Sequence, residues 1–108
     1  MSINSKKKGN AYELDCLHKW QDIFPEAVTA RFGDRSEDAK GHDLINTEQF
    51  KVQCKRGRKY RNPNVLEDIE VEEGEVPILM TRADRKKTVV CMYESDFFDL
   101  LRSYYEDC

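Results

Sequence analysis

Gly41-His42-Asp43-Leu44-Ile45-Asn46-Thr47-Glu48-Gln49-Phe50-Lys51-Val52-Gln53-Cys54-Lys55 reads as two short strands joined by a turn. His42–Asn46 is a brief apolar run around an aspartate, Asn46–Gln49 has turn chemistry, and Phe50–Lys55 alternates apolar with polar. Side chains alternate faces along a strand. Phe50, Val52 and Cys54 therefore aim at a core, and Lys51, Gln53 and Lys55 aim away from it. If the turn lays Asp43 beside the second strand, its carboxylate meets Gln53 and Lys55 on one side of a hairpin. An acid, an amide oxygen and a lysine gathered there suit a hard divalent cation and an activated water.

Upstream, residues 10–24 form one helix by pattern, with Cys16, Leu17, Trp20 and Phe24 on an apolar stripe that Pro25 ends. Glu13 lies in register with that stripe. It reads either as an inward carboxylate needing a partner or a metal, or as a helix-start acid complementing the dipole. Ala27–Phe32 is rich in β-formers and is expected as a strand, followed by a polar, turn-prone 34–41. Downstream come a short helix over Val65–Glu73, a strand over Val76–Met80, a turn over Ala83–Lys87 and a strand over Thr88–Tyr93. Ser95 is placed to cap a last helix, Asp96–Tyr105, with Phe97, Leu100, Leu101 and Tyr104 on one face. The expected class is α/β, a small mixed central sheet flanked by helices, in the order α-β-β-β-α-β-β-α.

The chain has 108 residues, and 39% hydrophobic against 36% charged residues leave it a thin core. One domain, 1–108, is expected, with residues 1–8 a flexible basic lead. No apolar run is long enough to cross a bilayer, and the Lys6-Lys7-Lys8 cluster is not followed by the apolar stretch of a signal peptide. A cytoplasmic location is therefore expected. Cys16, Cys54, Cys91 and Cys108 are widely spaced and read as reduced thiols. No zinc is expected, because His18 and His42 do not pair with Cys16 and Cys54 at zinc-ligand spacing. The net charge of −3 is a sum over blocks. Lys51, Lys55, Arg56, Arg58, Lys59 and Arg61 face no acid within 51–61, whereas residues 67–75 hold six acids and no base. A local basic surface is what meets phosphates.

Taken in order, these residues resemble the PD-(D/E)xK nucleases, most closely the Holliday-junction-resolvase-like branch of phages and archaea. Lys8-Gly9-Asn10-Ala11-Tyr12-Glu13 is similar to the start of that family's first helix, Arg31 and Ser36 to its Arg…Ser segment, and Gly41–Ile45 to its aspartate strand. Val52-Gln53-Cys54-Lys55 is similar to its Val-Glu-Cys-Lys strand, and the Gln form also resembles Mrr-type restriction endonucleases. The resemblance implies a restriction-endonuclease-like core and a metal-dependent endonuclease acting on branched DNA. It implies metal ligation by Asp43, Gln53, Glu13 and the Cys54 backbone carbonyl, with Lys55 orienting the attacking water. It implies Mg²⁺, with Mn²⁺ as a substitute. Arg31 and Ser36 would hold phosphate near the scissile bond. Lys8, Arg56, Arg58, Lys59 and Arg61 are assigned to DNA-backbone contact. The chain departs from the pattern at Gln53, which removes one negative charge from the ligand set, and at His42, where proline is common. A homodimer is expected, since a symmetric junction asks for two cuts and a thin domain gains from a partner. The alternatives are a restriction-type or nicking nuclease on duplex DNA, a non-catalytic DNA-binding module on the same fold, and a protein-interaction factor using the acidic block.

Overall fold

A computed structural model of the chain describes residues 3–106. Five strands form one mixed sheet in the order β1-β2-β3-β4-β5. They are β1 (Val28–Thr29), β2 (Leu44–Ile45), β3 (Phe50–Gly57), β4 (Val76–Ala83) and β5 (Val89–Cys91). β1–β2, β2–β3 and β4–β5 are antiparallel, and β3–β4 is parallel in unbroken register from Phe50↔Val76 to Gly57↔Ala83. The α/β class and the mixed sheet are as expected. So is the Asn46–Gln49 turn, in which Asn46 and Glu48 take positive φ of 62° and 53°.

The alternation in β3 sorts the two faces of the sheet. On one face, helix α1 (Ile3–Gln21) covers Val52, Ile78, Met80 and Leu44 with Tyr12, Cys16 and Leu17, and Trp20, Phe24, Phe50 and Cys54 extend the cluster. Trp20 stacks on Phe24 at 5.9 Å and donates its indole N–H to the Met80 sulfur at 3.0 Å. On the other face a smaller cluster joins Leu79 to Leu66 and Ile69. Those two residues come from a 3-10 turn, Pro63–Asp68, and the residue that caps it. Here the expected α-helix over 65–73 is corrected. Pro63 begins the turn, the Asn62 side chain accepts from the Asn64 amide at 2.8 Å, and the inward residues Leu66 and Ile69 are three apart. That spacing is the period of a 3-10 helix. The acids from Glu67 onward repel one another and give no reason to continue it.

Four other expectations are corrected. The first helix begins at Ile3, so Ile3–Lys8 belong to α1 instead of forming a flexible lead, while residues 1 and 2 lie outside the described residues. Lysine favours helix, and no proline interrupts residues 3–21. The helix ends at Gln21, ahead of Phe24, with the Ile23 and Phe24 amides both turning back to the Trp20 carbonyl. The strand expected over Ala27–Phe32 stops at Thr29. Helices α2 (Ala30–Gly33) and α3 (Arg35–Ala39) then fill the segment to residue 39, including most of the expected polar turn. β2 has only two residues, so past Thr29 the chain has no strand to pair with, and local helical bonds satisfy its backbone instead. Finally, α4 (Glu94–Glu106) starts before Ser95, which lies inside the helix and not at its cap.

Gly41 has φ of 84°, and a Cβ there would stand 3.1 Å from the Asp68 carbonyl oxygen. The residue lets the loop before β2 pass close under the 3-10 turn, where the Glu70 amide bonds the Lys40 carbonyl at 2.9 Å. No helix among the described residues is long and apolar enough to cross a membrane.

Leu44 is fully buried between α1 and the sheet. Leu44→Ala should lower unfolding stability by about 2–5 kcal/mol. Phe32→Ala, at a side chain 85% exposed, should change it by less than about 0.5 kcal/mol. Urea unfolding of the two variants beside wild type reads the difference, and equal midpoints would contradict this core.

Candidate functional site

Asp43 sits in the bend that leads into β2, where β2 and β3 part. Its amide donates to the Val52 carbonyl at 2.8 Å and its carbonyl accepts from the Ala30 amide at 2.9 Å. Its Oδ2 accepts from the Cys54 amide at 2.8 Å. The side chain thus takes the backbone donor of β3 that a longer β2 would have bonded. This single residue joins β2, β3 and the start of α2.

Burial raises the Asp43 carboxyl from 3.8 to about 6, because desolvation disfavours its charge. The Cys54 amide pulls the other way, Glu13 adds like-charge repulsion, and Lys55 offsets some of it. Glu13, Asp43 and Lys55 therefore share one electrostatic neighbourhood, although they come from α1, the β2 bend and β3. Glu13 is ten residues into α1, so the dipole at the helix start does not explain it. Its side chain is 14% exposed and accepts from Arg31 Nε at 2.9 Å. Arg31 is expected from the family pattern to hold phosphate. In this structure its partner is Glu13.

Gln53 precedes the amide that binds Asp43. Its Nε2 lies near Gly41. Its Oε1 is buried with no hydrogen-bond partner among the described residues. Such an orphaned oxygen costs about 1–3 kcal/mol unless something satisfies it. The Cys54 thiol points to the α1 side, where it hydrogen-bonds Cys16 in the core. Only its backbone faces the acid. Among the described residues no three His, Cys, Asp or Glu side chains gather as metal ligands. A cation here would need Gln53 Oε1 or a backbone oxygen beside Asp43 and Glu13. Two carboxylates that repel each other, with an unsatisfied amide oxygen on the residue before the amide that binds Asp43, suit such a cation, since a hard ion takes oxygen ligands and cancels the repulsion.

The basic residues lie beyond this group. Because β3 and β4 are parallel, their carboxyl ends meet. Arg56, Gly57, Arg58 and Asp84 line a cleft of about 230 Å³ there, with Lys8 and Gly9 of α1 completing it. Arg56 Nε is buried and has no hydrogen-bond partner among the described residues, and its guanidinium lies 3.6 Å from Asp84. Arg58, Lys59 and Arg61 are exposed, and Tyr60 anchors their loop by donating to the Lys87 carbonyl at 2.6 Å. Ser36 stands apart from this face. Its hydroxyl and amide both bond Asp34, at 2.6 and 3.0 Å, as a cap on α3.

The opposite ends of β3 and β4 are acidic. Glu37, Glu70, Glu72 and Glu75 line a 490 Å³ cavity with Lys40, His42 and Lys51. Sequence reasoning missed the clamp on its wall. Buried His42 meets Glu37 Oε2 through Nδ1 at 2.6 Å and the Glu70 carbonyl through Nε2 at 2.5 Å. The only signal for it was the histidine beside Asp43. The Arg31–Glu13 pair was likewise missed, because both residues had been given roles toward DNA and metal and not toward each other.

No protein-family model matches the chain, and no curated protein or solved structure matches it.

The raised Asp43 carboxyl has a stability consequence whose sign follows from proton linkage. The unfolded chain releases this proton near pH 4, and the folded chain holds it up to about pH 6. Between these values the folded state binds more protons, so the Asp43 contribution to stability falls as pH rises and stays low above pH 6. Two pKa units set an upper bound of about 3 kcal/mol. Asp43→Asn keeps an acceptor for the Cys54 amide. It should therefore be more stable than wild type at pH 8 in chelator, with no gain below about pH 4. Urea titrations at the two pH values measure it. A difference independent of pH would show that Asp43 titrates normally.

Proposed function

We propose that the chain is a metal-dependent DNA endonuclease of the PD-(D/E)xK type, with branched DNA such as a four-way junction as its substrate. One observation carries the reading. Asp43 is bound to the Cys54 amide and feels both Glu13 and Lys55, and the residue before Cys54, Gln53, has a buried Oε1 left unsatisfied among the described residues.

In this reading Asp43, Glu13 and Gln53 Oε1, with the Cys54 carbonyl, hold Mg²⁺ or Mn²⁺. The ion when bound supplies positive charge to the scissile phosphate and acidity to a water. The chain's own residues do the rest. The Cys54 amide fixes one oxygen of Asp43 and leaves the other for the ion. Arg31 fixes Glu13 by donating to its Oε1. Lys55 orients the attacking water and stabilises charge developing on phosphate oxygen. Arg56, Arg58, Lys59 and Arg61 grip neighbouring phosphates, positioning the strand without reading its sequence. The basic loop directly follows Lys55 in β3, so a strand gripped there runs past the acids. DNA as partner and a homodimer as the acting form belong to the same proposal.

Gln53 favours a second reading. With an amide where the family carries an acid, the ligand set has one negative charge fewer. The fold could then serve as a DNA-binding module that does not cut.

Labelled junction, fork and linear duplex, incubated with Mg²⁺, Mn²⁺ or chelator, separate these readings. Wild type should cut the junction only with metal. Asp43→Asn and Lys55→Ala should each lose about 100-fold or more in rate. Equal cutting by Asp43→Asn would sink the catalytic assignment, and preference for linear duplex would favour a nicking nuclease. Binding without cutting would leave the non-catalytic module.

Backbone contact by the loop has its own signature. Replacing Arg58 and Lys59 with alanine should weaken binding more at low salt than at high salt. The slope of log K against log salt should fall by about 0.9 for each contact removed. An unchanged slope would take the loop off the DNA face.

A further inference from the structure

α4 is amphipathic, yet none of its residues is buried. It packs substantially against no other element among the described residues. At about 100° per residue, Leu100, Phe97, Leu101, Tyr105 and Phe98 share an arc of about 160°. Asp96, Asp99, Ser103 and Glu106 lie opposite. Phe97, Phe98 and Leu100 are each nearly half exposed. A lone helix of this length is marginal in water, and helices in proteins owe most of their stability to packing an apolar face. Met92 is partly buried against the core cluster, so α4 leaves the domain from a fixed point.

We propose that a second copy of this chain covers that face. Each α4 lies across the apolar notch that the other copy presents between α1 and β5. The notch has a volume of about 210 Å³ and is lined by Trp20, Ile23, Met80 and Val90, with Lys19 at its rim. Ile23 and Val90 are 73% and 58% exposed, high values for large apolar residues. β5 also ends the sheet, with one of its edges unpaired among the described residues.

Charge selects the occupant. α4 carries Glu94, Asp96, Asp99 and Glu106 against one base, Arg102. The notch carries Lys19 at its rim and, among the described residues, no acid in its lining. An acidic aromatic helix and an apolar notch with Lys19 at its rim are complementary in one chain, and two-fold symmetry satisfies both at once. The area is adequate. Half of roughly 200 Å² for each of three large side chains is about 300 Å² per helix. The receiving surface loses a similar amount, and symmetry doubles the total to about 1,200 Å², where stable interfaces begin. The proposal names the surface of the dimer and does not depend on the nuclease reading.

Multi-angle light scattering on the full chain across a concentration series tests it without reading activity. Wild type should give twice the 12.7 kDa chain mass. Phe97→Glu on the helix and Ile23→Glu at the notch should each give 12.7 kDa, with the sheet's circular dichroism unchanged. A photo-cross-linking residue at position 98 of the otherwise wild-type chain should couple between copies, onto Lys19–Phe24 or Val89–Cys91. A monomeric wild type would overturn the proposal. So would a dimer that survives both substitutions, or cross-links that join α4 to α4.

Discussion

Parallel strands cannot be joined by a tight turn, and β3 runs parallel to β4 in full register for eight residues. Most of the molecule follows from that pairing. It fixes which residues of β3 look toward α1 and which look toward the 3-10 turn. It demands a long connection, and residues 58–75 supply one that carries the basic loop at its start and the acidic block at its end. Because the strands point the same way, the two ends of the connection lie at opposite ends of the sheet. Charge blocks that cancel in the composition are therefore separated in space. Arg56 and Arg58 flank one cleft, and Glu70, Glu72 and Glu75 flank the other.

The candidate site lies where pairing fails, one strand over. β2 gives up after two residues, and Asp43 spends its side chain on the β3 amide left behind. The same residue that repairs the sheet is held in a partly dry place beside another acid. A carboxylate used only to close a ladder would gain nothing from having Glu13 near it. The Glu13–Arg31 pair shows that the neighbourhood is organised, although an ion pair with a 40% exposed arginine adds about 1 kcal/mol at most.

The sheet was legible because its signals are periodic. Alternation in 50–55 and the apolar run of 76–80 each match one template, and the Asn46–Gln49 turn has residues suited to positive φ. The helical stripe from Cys16 to Trp20 was equally clear. The segment 27–39 was not. Its β-formers describe what Val28 and Thr29 do, but whether a strand continues depends on a partner, and the shortness of β2 cannot be read locally. The helix expected at 65–73 failed for a related reason. Leu66 and Ile69 fit either helical period, and the choice rested on Pro63 and on repulsion among the acids. At the site, Asp43 stands beside β3, bonded to the Cys54 amide, and Lys55 acts on it through its charge. The bonds that Arg31 and Ser36 make, to Glu13 and Asp34, depend on α2 and α3, which the pattern had missed.

The connection of residues 58–75 also bears on how the chain reaches this structure. The β2–β3 and β4–β5 pairs close short turns and can form early. The central ladder forms only after the loop between β3 and β4 has been drawn together, with its entropy lost before any bond is gained. Until then Val52, Ile78 and Leu79 have no completed sheet to bury them. Tight parallel pairing thus places the largest loop-closure cost of the fold at the centre of its sheet.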